Sequence, residues 1–421
     1  MQRANTGGSA ASASWDTTYE WRAVALLGVG FGLVGLDRWI IASLLPFGMA
    51  ADLGLNVQDG GNVIGALGLA WGVFAIFSGR IADKVGHRRI LIPAILLFSL
   101  LSGFSGMTTS LMGLVLVRGL MGAMEGSYCP TSFTAVAAAS RPARRGFNQG
   151  LQQSGFALLG LGLGPIIATQ LLRVVPSWHW VFWICALPGF IVGALLYAVL
   201  REPAQTQGGA LIGATQASGS WWQVLKSRNI VLGMLALFCA MSCVFVLSAL
   251  VPTYLAAYLK LDATQTGVVA SALGFGGFFG QFGMPGLSDL YGRRLMAVIG
   301  FIGSAVSLWI FAHTGADAVA LFIGLFAVSF FCLGNVALIT GPIATEAAPI
   351  GLVSSAIGVV VGAGEIFGGG VAPSIAGFIG NKYGIENTLY VALTGVVLGI
   401  VVSLFLRETA PRKSALVAAG S

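Results

Sequence analysis

GRIADKVGHRR, Gly79 to Arg89, and PGLSDLYGRR, Pro285 to Arg294, are one pattern written twice. Laying Asp83 on Asp289 also lays Gly86 on Gly292, 206 residues on, and both stretches end in an arginine pair. A second echo follows at nearly the same offset. LGLGLGPIIA (159–168) and FGGGVAPSIAG (367–377) bring Gly160 onto Gly368, Gly162 onto Gly370 and Pro165 onto Pro373. Two echoes at one spacing, each at the same place in its half, indicate an internal repeat of roughly 200 residues.

What surrounds the echoes is apolar. Of the 421 residues 56% are hydrophobic and 9% charged, against roughly 25% charged in an ordinary soluble domain. Apolar runs of about 20 residues, each able to cross a bilayer as a helix, recur along the chain. Twelve spans are expected, near 22–48, 60–82, 89–108, 111–137, 146–171, 179–200, 229–257, 265–286, 295–313, 318–344, 350–378 and 386–406. The 61 glycines suit close packing of membrane helices. The expectation is an all-α membrane protein of two pseudo-symmetric six-helix bundles, 22–200 and 229–406. A polar linker (201–228) would join them, and tails would occupy 1–21 and 407–421.

The net charge of +7 points to the membrane rather than to nucleic acid. With both termini cytoplasmic, 17 of the 22 lysines and arginines fall in inner loops and tails, while Arg173, Lys260 and Lys382 fall outside. That asymmetry is the positive-inside rule, and it orients the chain in a cell inner (plasma) membrane. The first 20 residues lack the basic-then-apolar pattern of a cleaved signal peptide. Cys129, Cys185, Cys239, Cys243 and Cys332 are odd in number and all lie within spans, as packing thiols would.

Twelve spans in two halves, with Gly79, Asp83, Gly86, Arg88 and Arg89 after the second span and Asp289, Gly292, Arg293 and Arg294 after the eighth, resemble the major facilitator superfamily. The resemblance implies two bundles that rock about a central cavity, with these loop residues as a conformational latch.

Five ionisable side chains are expected deep in the membrane: Asp37, Arg38, Arg118, Glu125 and Glu365. A charge there costs at least ~2.5–3.5 kcal/mol on insertion scales, so each needs water, a partner or a proton. Adjacent residues point about 100° apart on a helix, so Asp37 and Arg38 must look to different neighbours. Arg118 and Glu125, seven residues apart, share roughly one face of the fourth span. An Asp-Arg pair in span one with an Arg and a Glu in span four resembles the anion:cation symporter branch. The resemblance implies Arg38 and Arg118 as carboxylate-binding groups and Asp37 and Glu125 as proton carriers. Glu365, the deep acid of the second half, is a third proton-coupling candidate that the branch does not explain.

The chemistry is coherent without the family. Guanidinium suits bidentate carboxylate binding. A membrane potential opposes anion entry by ~2.3 kcal/mol per charge per 100 mV, and a co-transported proton removes that penalty. The expected activity is therefore proton-coupled uptake of a small organic anion, without enzymatic activity or a cofactor beyond the proton gradient. The protein is expected to work as a monomer in the lipid bilayer. Trp71, Tyr254, Gln281 and Asn335 complete the expected substrate site. With so few hydrogen-bonding groups and so many phenylalanines, an aromatic or short aliphatic acid is favoured over a sugar acid. The alternative is a proton-coupled drug or metabolite efflux antiporter, since GLGLGPIIA partly matches the glycine-proline motif of exporters.

Overall fold

The computed structural model describes residues 16–141, 145–201, 221–349 and 353–410. The expected tail through residue 15, linker residues 202–220, the chain from 411, and the surroundings of Gly79, Asp83 and Asp289 lie outside the described residues. Every regular element among the described residues is helical, and the helices form twelve spans. The first six are α1 (Thr17–Asp52), α2 (Val57–Val85), α3 (Arg88–Ser105), α4 (Leu111–Ala139), α5 (Arg145–Gly155 continued by Phe156–Leu163 and Gly164–Leu171) and α6 (Trp178–Val199). The second six are α7 (Arg228–Tyr258), α8 (Ala263–Tyr291), α9 (Arg293–Ala312), α10 (Ala318–Ala347), α11 (Val353–Ala363 continued by Gly364–Val371 and Ala372–Tyr383) and α12 (Ile385–Leu404). Eleven of them are apolar enough over their length to cross a membrane; the exception is α4, which carries Arg118 and Glu125.

Local chemistry sets the helix ends. The Asp16 side chain accepts from the Tyr19 N–H and caps α1. Asn56 and Asp59 exchange reciprocal backbone-to-side-chain bonds of 3.0 Å at the start of α2, satisfying donors the helix leaves over. Gly86 (φ 93°) and Gly292 (φ 103°) turn the chain between α2 and α3 and between α8 and α9. A side chain is strained at such φ, which is why both copies of the loop pattern hold a glycine there.

The repeat extends to backbone irregularities. Phe156–Leu163 in α5 and Gly364–Val371 in α11 are both wound wide, as π-helix, and lie 208 residues apart. Leu45–Met49 in α1 and Tyr254–Tyr258 in α7 form a second matched pair, 209 apart. In α1 the wide turn is a true break, with Gly48 at φ 106°.

The two six-helix sets meet along glycine seams related by the same repeat. A Cβ on Gly61 or Gly68 of α2 would lie 2.4 Å from the backbone oxygen of Pro373 or Gly369 in α11. One on Gly267 of α8 would lie 2.9 Å from the Pro165 oxygen of α5, and one on Gly274 only 1.8 Å from the Gly162 nitrogen. Backbone thus touches backbone between the bundles, on the half of the molecule away from the two described chain ends. At that far end the Arg173 guanidinium also bonds the Thr264 hydroxyl across the divide.

Candidate functional site

At mid-depth, beside the α2–α11 seam, α1 presents Asp37 and Arg38 to different neighbours. Asp37 accepts a 2.8 Å bond from the Ser102 hydroxyl of α3, inside its own bundle. Arg38 crosses to the other bundle, where its Nη2 donates to Glu365 Oε2 at 3.0 Å, with side-chain exposures of 1% and 7%. Helical geometry required the divergence; the partner of Arg38 stands 327 residues along the chain.

Aromatic rings enclose the guanidinium. Its carbon lies 4.5 Å from the Trp71 ring centroid, 4.4 Å from Phe245 and 5.4 Å from Trp39. Trp39 and Phe245 stack at 5.3 Å across the bundle divide. Cation–π attraction of this kind is stronger where water is excluded. Arg38 Nε and Nη1, Trp39 Nε1 and Trp71 Nε1 are all buried without an acceptor among the described residues. Gly369 leaves room for the ion pair, since a Cβ there would lie 2.8 Å from Glu365 Oε2 and 3.1 Å from Arg38 Nη2.

Arg118 does something else. Its Nη1 donates to the Asp37 carbonyl at 2.8 Å and its Nη2 to the Arg38 carbonyl at 2.5 Å. A carbonyl has two lone pairs, so it can serve its own helix and this guanidinium together. Arg118 thereby fastens α4 to the turn of α1 that carries both charges. Neither oxygen of fully buried Glu125 has a hydrogen-bond partner among the described residues, though Arg118, Arg38, Asp37 and Glu365 all act on it electrostatically.

The other expected substrate residues are dispersed. Tyr254 stacks on Tyr258 at 5.3 Å and leans on Phe311 within the second bundle. Asn335 donates to the Ala297 carbonyl at 3.1 Å and ties α10 to α9. Gln281 is half-buried on α8. Of these four, Trp71 alone joins Arg38. Phe245 and Trp39 are the site residues that sequence reading missed. Trp39 had a signal, being next to Arg38; Phe245 is one of 26 phenylalanines and had none. Two hollows at the far end, the larger of about 540 Å³, are lined by none of the five ionisable side chains.

The sequence profile of the Major Facilitator Superfamily matches residues 27–285 and 233–421. The chain belongs to this superfamily. Among its relatives, the sialic acid transporter NanX of Escherichia coli is 27% identical over 377 residues, covering 86% of this chain and 88% of that one. The D-galactonate transporter of Escherichia coli is 24% identical over 367 residues, covering 80% and 84%. The fold matches the crystal structure of a bacterial homologue of the human lysosomal transporter Spinster, inward-facing and unoccupied. The TM-score is 0.75 at 14% identity, over 92% of this chain and 95% of that one.

For a major facilitator chain the loop motif has a particular setting here. Arg88 bonds the Tyr197 carbonyl of α6 and lies 4.7 Å from that ring's centroid. Arg293 pairs with Glu346 of α10 at 2.8 Å and donates to Ser288. Each contact stays within its own bundle. Arg89 and Arg294 are exposed, although the Arg294 N–H, like that of Arg293, is held by Glu408. Among the described residues no His, Cys, Asp and Glu side chains gather as metal ligands.

Proposed function

We propose that this superfamily member is a proton-coupled symporter that carries a small organic carboxylate into the cell by alternating access. Arg38 is the cargo-binding charge, and Asp37, Glu125 and Glu365 are the proton carriers. Both termini are cytoplasmic, as the basic loops require, so the glycine seams close the outward half. The carrying observation is the enclosed guanidinium of Arg38, with Nε and Nη1 lacking acceptors between the two bundles. Unpaired donors on and beside a fixed positive charge suit an anion rich in acceptors. The names of NanX and the galactonate transporter, both carriers of acids, support a carboxylate cargo. The ring walls from Trp39, Trp71 and Phe245 favour a flat or short aliphatic acid, because each hydroxyl of a sugar acid would need a partner once desolvated. Arg118 is a positioning residue, holding the Asp37–Arg38 turn by its carbonyls. The loop arginines and Asp83 and Asp289 remain candidates for the latch.

Full-length protein in liposomes tests this reading. With an inward proton gradient, one of benzoate, lactate, gluconate or N-acetylneuraminate should accumulate, and Arg38→Ala should reduce its binding at least tenfold. Undiminished carboxylate transport by Arg38→Ala, or transport of cationic drugs alone, would reject it in favour of efflux.

A further inference from the structure

The Arg38–Glu365 pair spans the two bundles, and both two-pronged edges of a guanidinium include Nη2. One edge joins Nη2 to Nε, the other joins it to Nη1. Glu365 already holds Nη2 through a single oxygen at 3.0 Å, while Nε and Nη1 have no acceptor among the described residues. A carboxylate that clasps Arg38 with both oxygens must therefore displace Glu365 or share Nη2 with it. Sharing would put two anionic groups on one cation in a layer where the pair's exposures are 1% and 7%. That arrangement is strongly disfavoured unless one carboxyl is neutral.

From this we infer that Glu365 is a tethered stand-in for the cargo: its carboxylate neutralises Arg38 in the empty carrier, and when cargo arrives it releases Arg38 and takes up a proton. The inference rests on the carboxylate reading of the site and assigns Glu365 its part in it. Charge balances in both states. Empty, the site holds Arg38⁺ and Glu365⁻. Loaded, it holds Arg38⁺, the cargo carboxylate and neutral Glu365, whose proton came from water on the side where cargo entered. One proton accompanies one carboxyl group through this pair. In each state the charge on Arg38 is matched by one carboxylate, so the bundles can close over the pair; an unmatched Arg38 would have to be buried charged, which is costly. Around Glu365, the charged or titratable groups are Arg38 from α1 and, at longer range, Glu125 and Cys129 from α4. The neighbouring seam brings Gly72 of α2 to its side chain, and Phe245 of α7 lies beside the pair.

Glu365→Gln tests the inference, with Glu365→Asp as the conservative control. One measurement needs no cargo: spin labels on α2 and α11 at the far end report the distance between bundles in ligand-free protein. Wild type should populate the closed distance. Glu365→Gln should lose it, and Glu365→Asp should recover it in part. With benzoate or gluconate as probe, Glu365→Gln should bind at least fivefold tighter near pH 8, retain exchange of labelled for unlabelled probe, and lose net uptake. An unchanged ligand-free distance, or weaker binding by Glu365→Gln, overturns the stand-in. Failure of wild type to bind any carboxylate instead overturns the carboxylate reading, and the spin-label result still decides whether the pair governs closure.

Discussion

Three arginine environments show how little a residue's type determines its task. Arg38 meets a carboxylate and three rings, Arg118 meets two backbone carbonyls, and Arg293 joins Glu346 near the terminal end. Replacing Arg118 with Met should keep the stem's packing but release α1 from α4. Hydrogen bonds from a charged donor contribute ~1.5–3 kcal/mol each, and the carbonyls keep their helical partners, so the two lost bonds put the expected cost near the low end of their sum, about 3 kcal/mol. Thermal melts in detergent would show it as a lowered Tm, and an unchanged Tm would refute the fastening role. The sequence disclosed that Asp37 and Arg38 diverge, because a helix allows nothing else. It could not disclose that Arg118 grips carbonyls, since every residue supplies one and none is marked. Nor could it pair Arg38 with Glu365, because that contact depends on how two distant bundles meet.

Single elements carry their own tests. Gly86 and Gly292 hold positive φ at equivalent turns, so Gly86→Ala and Gly292→Ala should each cost about 1–3 kcal/mol. The similar size of the two losses, read by denaturation in mild detergent, is the expected mark of the repeat. The recurrence of glycine at the same step of both motifs was legible; that it serves a positive φ was not, because close helix approach would also call for glycine. The matched wide turns were not, because no side-chain pattern announces a π-helix. A further device sits at the chain's end. Glu408 accepts from the backbone N–H groups of Arg293, Arg294, Thr409 and Ala410 and so caps α9. Partial burial pushes its carboxyl up, but the four donors outweigh burial and hold it below the ordinary glutamate value. A carboxyl lowered in the folded state stabilises that state above its unfolded value and loses the contribution as pH falls through the folded one. Protection from hydrogen exchange at the start of α9, taken relative to the unstructured rate at each pH, should therefore fall below about pH 4, the ordinary range for this side chain. Glu408→Gln should exchange faster at neutral pH and show a weaker dependence on acid.

At the scale of the whole molecule the bundles meet where side chains are missing. Gly274 and Gly162 approach so closely that any Cβ must part them. Gly274→Leu should hold the far end apart while each bundle keeps its own core. Cysteines placed across the α5–α8 seam should then cross-link poorly, with the protein still monodisperse and transport lost; efficient cross-linking would mean that the seam does not set closure. The two arginines of the charged layer also differ in what can undo them. A carboxylate can be discharged by acid, whereas a peptide oxygen accepts no proton at any pH a cell meets. The grip of Arg118 on α1 is therefore blind to acidity and the bond from Arg38 to Glu365 is not. If Glu365 stands in for the cargo, a drop in pH on one face of the membrane should part the halves while leaving the first half whole.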